Sequence, residues 1–124
     1  MSAKAKGHLL WMFPDGYIPP TSMGTLTSHE SICILNCNEQ AANLAITIYF
    51  EDRDPIERIP VVCGGRRTYH IRTASLEKNG EKIPTDVPYA IEVESDVPVI
   101  AQYSRLDATQ PANALMSVVG YPIV

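Results

Sequence analysis

Apolar and polar positions alternate with a period of two along most of this chain. Leu44, Ile46, Ile48 and Phe50 interleave with Ala45, Thr47 and Tyr49, the pattern of a strand with one buried face. That strand stops at Glu51-Asp52-Arg53-Asp54-Pro55, where charge and a proline favour a turn. The same alternation predicts strands over 32–35, 59–63, 68–72, 89–94, 97–104 and 115–121, and one more over 9–13. A single helical turn is expected over 75–78, and a short helix over 108–116 that Pro111 keeps from growing. About eight short strands with little helix predict an all-β fold, an antiparallel β-sandwich of jelly-roll-like form, with a small barrel as the alternative. The domain is expected over 9–124, after a flexible segment over 1–8.

Composition narrows this picture. The 124 residues suffice for one core. Ten prolines disfavour long helices, since one in a helix interior costs about 3 kcal/mol. The formal charge of −4 provides no overall field for phosphate backbones. Nucleic-acid binding would therefore need a local patch, for which Arg66, Arg67 and Arg72 are the candidates. No apolar run approaches the roughly 20 residues of a membrane span, and 9–13 is too short for a signal-peptide core. A soluble, cytoplasmic protein is expected. The odd set Cys33, Cys37 and Cys63 reads as free thiols without a disulfide framework. The Cys-x3-Cys pair lacks the second ligand pair of a zinc site, so neither metal nor cofactor is expected.

The chemistry lies in polar residues set among apolar ones. In Arg66-Arg67-Thr68-Tyr69-His70-Ile71-Arg72, facing Tyr69 and Ile71 inward turns Thr68, His70 and Arg72 outward together. Such a row offers planar donors to carboxylates, phosphates or sugar hydroxyls. It suits equally a subunit-facing strand paired with Glu92 and Glu94. The segment from Gln102 through Arg105 to Asp107, followed by Gln110 and Asn113, combines amides that read hydroxyls with an Arg105–Asp107 pair on one strand face. His29 and Glu30 are strand neighbours and point to opposite faces, so they do not converge on one ion; one of them lines a site. Trp11 and Tyr17 flank a proline-rich loop and offer an aromatic platform of the kind sugars stack upon, unless Trp11 is buried. No nucleophile elbow, phosphate loop or dinucleotide fingerprint occurs, and no catalytic residues are assigned. A receptor reading requires the basic row and the amide and acid cluster to enclose one recess.

Several collinear motifs carry a resemblance. Asp15-Gly16-Tyr17-Ile18-Pro19-Pro20, Ser28-His29-Glu30, Cys33-Ile34-Leu35-Asn36, Ile46-Thr47-Ile48-Tyr49, Arg66-Arg67-Thr68 with His70 and Arg72, and Arg105-Leu106-Asp107 with Gln110 and Asn113-Ala114-Leu115 follow the order of the sensory rhodopsin transducer family. The chain resembles that family from about Trp11 to Tyr121. The resemblance implies a compact β-sandwich assembling as a homotetramer. It implies a non-enzymatic module that binds a small polar molecule such as a sugar and transduces a signal to a receptor or other protein partner. By the same resemblance Glu30, Asn36, Arg67, His70, Arg72, Gln102, Arg105, Asp107 and Gln110 become the ligand-binding candidates, with Trp11 added as a stacking surface. Cys37 and Cys63 are not part of the pattern. The alternatives are a protein-interaction adaptor and a DNA-binding regulator, both acting through the strand from Arg66 to Arg72.

Overall fold

The computed structural model describes residues 4–124. Its strands are β1 (His8–Tyr17), β2 (His29–Asn36), β3 (Ala42–Phe50), β4 (Ile56–Cys63), β5 (Arg67–Arg72), β6 (Glu77–Lys78), β7 (Glu81–Lys82), β8 (Pro88–Asp107), β9 (Ala114–Val119) and β10 (Tyr121–Pro122). All pairings are antiparallel, and the fold is an all-β sandwich.

The organising element is β8, a single 20-residue strand where alternation predicts two. Its first half pairs with β1 and β3, its second half with β2 and β9. One layer is therefore β10-β1-β8-β3-β4 and the other β9-β8-β2-β5, with β8 common to both. The passage between layers is a register shift opposite β1: His8 faces Val99 while Leu10 faces Glu94. The extra residues on β8 include Ser95, whose hydroxyl donates to Val97 O at 2.6 Å, and Pro98. Alternation survives the bend. Tyr89, Ile91, Val93, Ser95, Val97, Val99, Ala101 and Tyr103 all point inward and are buried. They pack with Ile32 and Ile34 of β2 and Ile46 and Ile48 of β3 in one core.

Three local expectations change. Residues 108–116 bend and then form β9, with no helix; Ala108 N is held by the Ser28 hydroxyl instead of a helical carbonyl. The helical turn lies at Thr73–Ser75, and 77–82 forms the small β6–β7 hairpin. The strand over 115–121 divides at Gly120, so β9 stays in one layer while β10 pairs with β1 in the other. Glycine is required at that crossing because a Cβ would stand 2.5 Å from the Phe13 ring. Residues 1–3 of the expected flexible segment lie outside the described residues, and His8 already belongs to β1.

Candidate functional site

The sequence candidates do not enclose one recess; the β9-β8-β2-β5 layer divides them between its two faces. Directly opposed antiparallel residues share a face, which orders the outer surface into rows. His70 lies opposite Cys33, which lies opposite Gln102, then Val119. Arg72, Ser31, Ser104 and Ser117 form the next row. His70, Arg72 and Gln102 thus look outward, as the alternation of β5 predicts for the first two. Glu30, Asn36 and Arg105 occupy the inner face. Arg67 is exposed at the start of β5 and bonds the carbonyl of Arg66 at 3.0 Å. Asp107 accepts from Thr109 N and Oγ1 at 2.9 and 2.6 Å, and this turn holds its carboxyl below the usual range, with Arg105 adding a smaller charge effect. Gln110 is exposed in the bend before β9.

Two expectations about these side chains are corrected. Trp11 is 4% exposed, and its indole N–H donates to Val99 O at 2.9 Å. It is a core residue of β1, with no face free for a sugar. The expected pairs of Arg105 with Asp107, and of the basic strand with Glu92 and Glu94, do not form. Glu94 instead meets Arg58 at 2.6 Å, and Glu92 accepts from Tyr49 at 3.0 Å. Arg105 turns inward to Glu30.

That inner cluster is the most elaborate polar arrangement among the described residues. Glu30 is 1% exposed and faces Arg105 across the β2–β8 ladder. Arg105 Nε donates to Glu30 Oε2 at 2.7 Å and to the Tyr103 hydroxyl at 3.0 Å. The backbone N–H of Tyr17 donates to both carboxylate oxygens, at 3.0 and 3.2 Å. Tyr89 donates its hydroxyl proton to Glu30 from the opposite layer and lies 3.0 Å from Thr73 Oγ1. A buried carboxylate needs this number of donors to persist, since desolvation costs several kcal/mol per ion. Burial, followed by the adjacent Glu30 charge, drives the Tyr89 hydroxyl far above the ordinary tyrosine range. Burial does the same to Tyr103. Burial also opposes the charge on Arg105, but Tyr103 and Glu30 outweigh it and hold the guanidinium above its usual pKa.

The cluster adjoins an opening in the sandwich. An open cavity of about 260 Å³ lies between β1, β9 and β10, with Tyr103 and the exposed Asp15 among the residues that line it. Asp15 is placed there by a one-residue bulge: Phe13 pairs with Ile91 and Gly16 with Tyr89, leaving Pro14-Asp15 opposite a single residue. Its carboxylate lies 3.8 Å from Arg105 Nη2. Tyr89, Tyr103 and Asp15 had no place among the sequence candidates. The available signal was a tyrosine at each end of the inward aliphatic series of β8, since a buried hydroxyl has to find a partner.

Asn36 does a different job. Its Nδ2 donates to the carbonyls of Gln40, Cys63 and Gly64 at 2.9, 3.2 and 3.1 Å, and its Oδ1 accepts from Asn38 N and Nδ2. The amide ties the β2–β3 and β4–β5 loops together. In the basic segment from Arg66 to Arg72, Arg66 pairs with Glu39 at 3.2 Å on the surface. Among the described residues no cluster of metal-binding side chains occurs, and no helix is long and apolar enough to cross a membrane.

Comparison with known proteins gives this architecture relatives. The crystal structure of Thermotoga maritima 1070 is similar at 41% identity and a TM-score of 0.85, over 94% of this chain and 96% of that one. The Anabaena sensory rhodopsin transducer is similar at 35% identity and a TM-score of 0.73, over 81% of this chain and 89% of that one. No curated protein matches. The family model described as Anabaena sensory rhodopsin transducer matches residues 6–122, and the chain therefore belongs to the Anabaena sensory rhodopsin transducer family.

Proposed function

We propose that the chain is a non-enzymatic signal-transducing module that works by protein contact, as a homotetramer on the cytoplasmic side of a receptor-class partner. The observation that carries this reading is β9, Ala-Leu-Met-Ser-Val-Val, in which all six residues are exposed. Leu115 is 81% and Val119 67% exposed, and Tyr121 beyond them 65%. Among the described residues β9 pairs only with β8, so its other edge offers unpaired backbone groups. An apolar edge strand of this kind is a template for another chain. The outer rows of the same layer extend it with Leu35, Ile100 and small serines. The relative named a sensory rhodopsin transducer suggests a membrane receptor as the partner class.

A second reading adds a small-molecule input. It is favoured by the mostly apolar cavity lined by Tyr103 and Asp15, both of which neighbour Arg105. A stacked sugar finds less support, with Trp11 in the core. Direct DNA binding has less still, given the Arg66–Glu39 pair and the net charge of −4.

Sedimentation velocity tests the assembly. Four chains per particle at micromolar concentration are expected. A folded monomer across that range overturns the reading, because a monomer leaves β9 uncovered.

A further inference from the structure

We infer that the free edge of β5 and the groove beside it bind an extended peptide of a partner protein, added as a strand in which acidic and aliphatic residues alternate. β5 and β9 are opposite edges of one layer, so this surface is separate from the one assigned to assembly. Among the described residues β5 pairs only with β2, and β4, an edge of the other layer, only with β3. The groove between them is lined by Ile59, Ile71 and Leu76, all buried, by half-buried Val61, and by Tyr69, which is 45% exposed. The backbone along residues 68–71 is open. The Arg67 carbonyl accepts from Cys63 Sγ at 3.5 Å and the Arg72 carbonyl from the Ser75 hydroxyl at 2.6 Å. Between them, no backbone bond other than those to β2 occurs among the described residues. An edge strand turns alternate N–H and C=O groups away from its sheet, and an added strand pairs with these groups.

The side chains of β5 set the pattern of the peptide. Thr68, His70 and Arg72 face outward, while Tyr69 and Ile71 face the groove. A strand laid alongside alternates in step: every second side chain stands beside His70 and Arg72, and the others enter the groove. Arg67 and Arg72 are exposed and form no ion pair among the described residues. Glu77, the acidic residue lining the groove, is paired with Lys82 at 3.6 Å. The edge is thus locally basic in a chain of net charge −4. It complements carboxylates on one face of the added strand and aliphatic groups on the other. The layer edges of a second copy do not fit. Its β5 brings arginines together, its β9 has no acidic residue, its β10 is only two residues long, and Pro60 leaves its β4 short of a ladder donor. Duplex DNA satisfies the arginines but leaves Tyr69 and the groove uncovered.

The probe is a fluorescein-labelled peptide, Glu-Val-Glu-Val-Glu-Val-Glu, titrated with the assembled protein by fluorescence anisotropy, while hydrogen exchange of the protein is followed by mass spectrometry. It is expected to bind at least about tenfold more tightly than Lys-Val-Lys-Val-Lys-Val-Lys, as reversal of exposed charge pairs predicts. It is also expected to slow exchange across residues 67–72. N-methylation of all the valines, or separately of all the glutamates, is expected to abolish binding in one case only, because one alternate set of N–H groups faces β5. Arg72→Glu, at an exposed side chain, is expected to weaken binding by about fivefold while far-ultraviolet circular dichroism is unchanged. Equal binding of the lysine peptide, retention of binding by both N-methylated forms, or unaltered affinity in Arg72→Glu overturns the inference. So does exchange in β5 that is slow without peptide and speeds up as Arg72→Glu dissociates the assembly, since a second copy then covers the edge. Slowed exchange with a DNA duplex but not with the peptide overturns it in favour of nucleic acid. No binding of the peptide at millimolar concentration overturns it outright, and leaves the reading of β9 untouched.

Discussion

Arg105 on β8 and Glu30 on β2 stand directly opposite each other, and their side chains meet at 2.7 Å on the inner face of the sandwich. Both ends of β8 converge on that carboxylate, since Tyr89 reaches it from the first half of the strand and Arg105 from the second. The pair thus locks the bend of β8 as well as the two layers. Removing one partner of a buried ion pair leaves the other charged and unsolvated, at about 3–5 kcal/mol. Glu30→Ala is expected to lose that much in urea unfolding, a large share of a typical domain's about 5–15 kcal/mol. Glu30→Leu combined with Arg105→Met removes both charges and is expected to recover most of the loss. A double variant as unstable as Glu30→Ala contradicts the assignment of the cost to an unpaired charge.

Asn36 permits a sharper substitution. Its Nδ2 faces three carbonyl oxygens, so replacement by a near-isosteric carboxylate turns three attractions into three repulsions. Each lost bond is worth about 1 kcal/mol, and a buried group left unsatisfied about 1–3 kcal/mol. Asn36→Asp is therefore expected to destabilise by about 3 kcal/mol or more at pH 7, and by more than Asn36→Ala. The midpoints of urea unfolding for the two variants decide the order, and the reverse order would show that the amide is not a donor there.

What was legible in the sequence follows from which signals are local. The period-two alternation of Leu44 to Phe50, and of β8 on either side of its bend, reflects burial of one sheet face and leads to the all-β class. The outward placement of His70 and Arg72 follows from the same rule. The single β8 was not legible, because 89–94 and 97–104 read as two separate strands; here one strand carries a bend between layers without breaking. The site was half legible. Glu30 and Arg105 could be picked out as polar residues in strands, but their pairing depends on register between strands 75 residues apart. Asp15 depends on a bulge, and periodicity carries no information about either. Trp11 was assigned to a platform because a tryptophan beside a loop can be core or surface, and only the Val99 carbonyl decides between them.

The two inward tyrosines give a pH signature. Tyr89 and Tyr103 both have hydroxyl pKa values raised by burial, while tyrosine in the unfolded chain ionises near about 10. Below about pH 9 both states hold these protons and nothing changes. Above about pH 10 the unfolded chain has released protons that the fold retains, so the unfolded state binds fewer and stability falls as pH rises. Two such groups give a slope approaching about 2.7 kcal/mol per pH unit. Absorbance at 295 nm should show these two of the six tyrosines ionising only as the fold is lost. Tyr103→Phe should reduce both the slope and the delayed absorbance by about half. A smooth titration of all six with the far-ultraviolet spectrum intact contradicts the buried assignment.

The apolar β9 edge separates stability from assembly. Leu115 points to the outer face, opposite Leu106, and Val119 lies opposite Gln102 on that face. Both are largely exposed within one chain, so lysine at these positions displaces no contact of the protomer core and should change its unfolding by no more than about 0.5 kcal/mol. In an assembly that covers β9 the same lysines meet an apolar partner surface or one another, and a buried unpaired ammonium is costly. Leu115→Lys with Val119→Lys is therefore expected to give a folded monomer in sedimentation velocity at concentrations where the parent protein is assembled. Urea unfolding of that monomer separates the two effects: retention of a cooperative transition places the loss in the interface. An unchanged sedimentation coefficient would mean that the chains meet elsewhere and that β9 is free for a different protein.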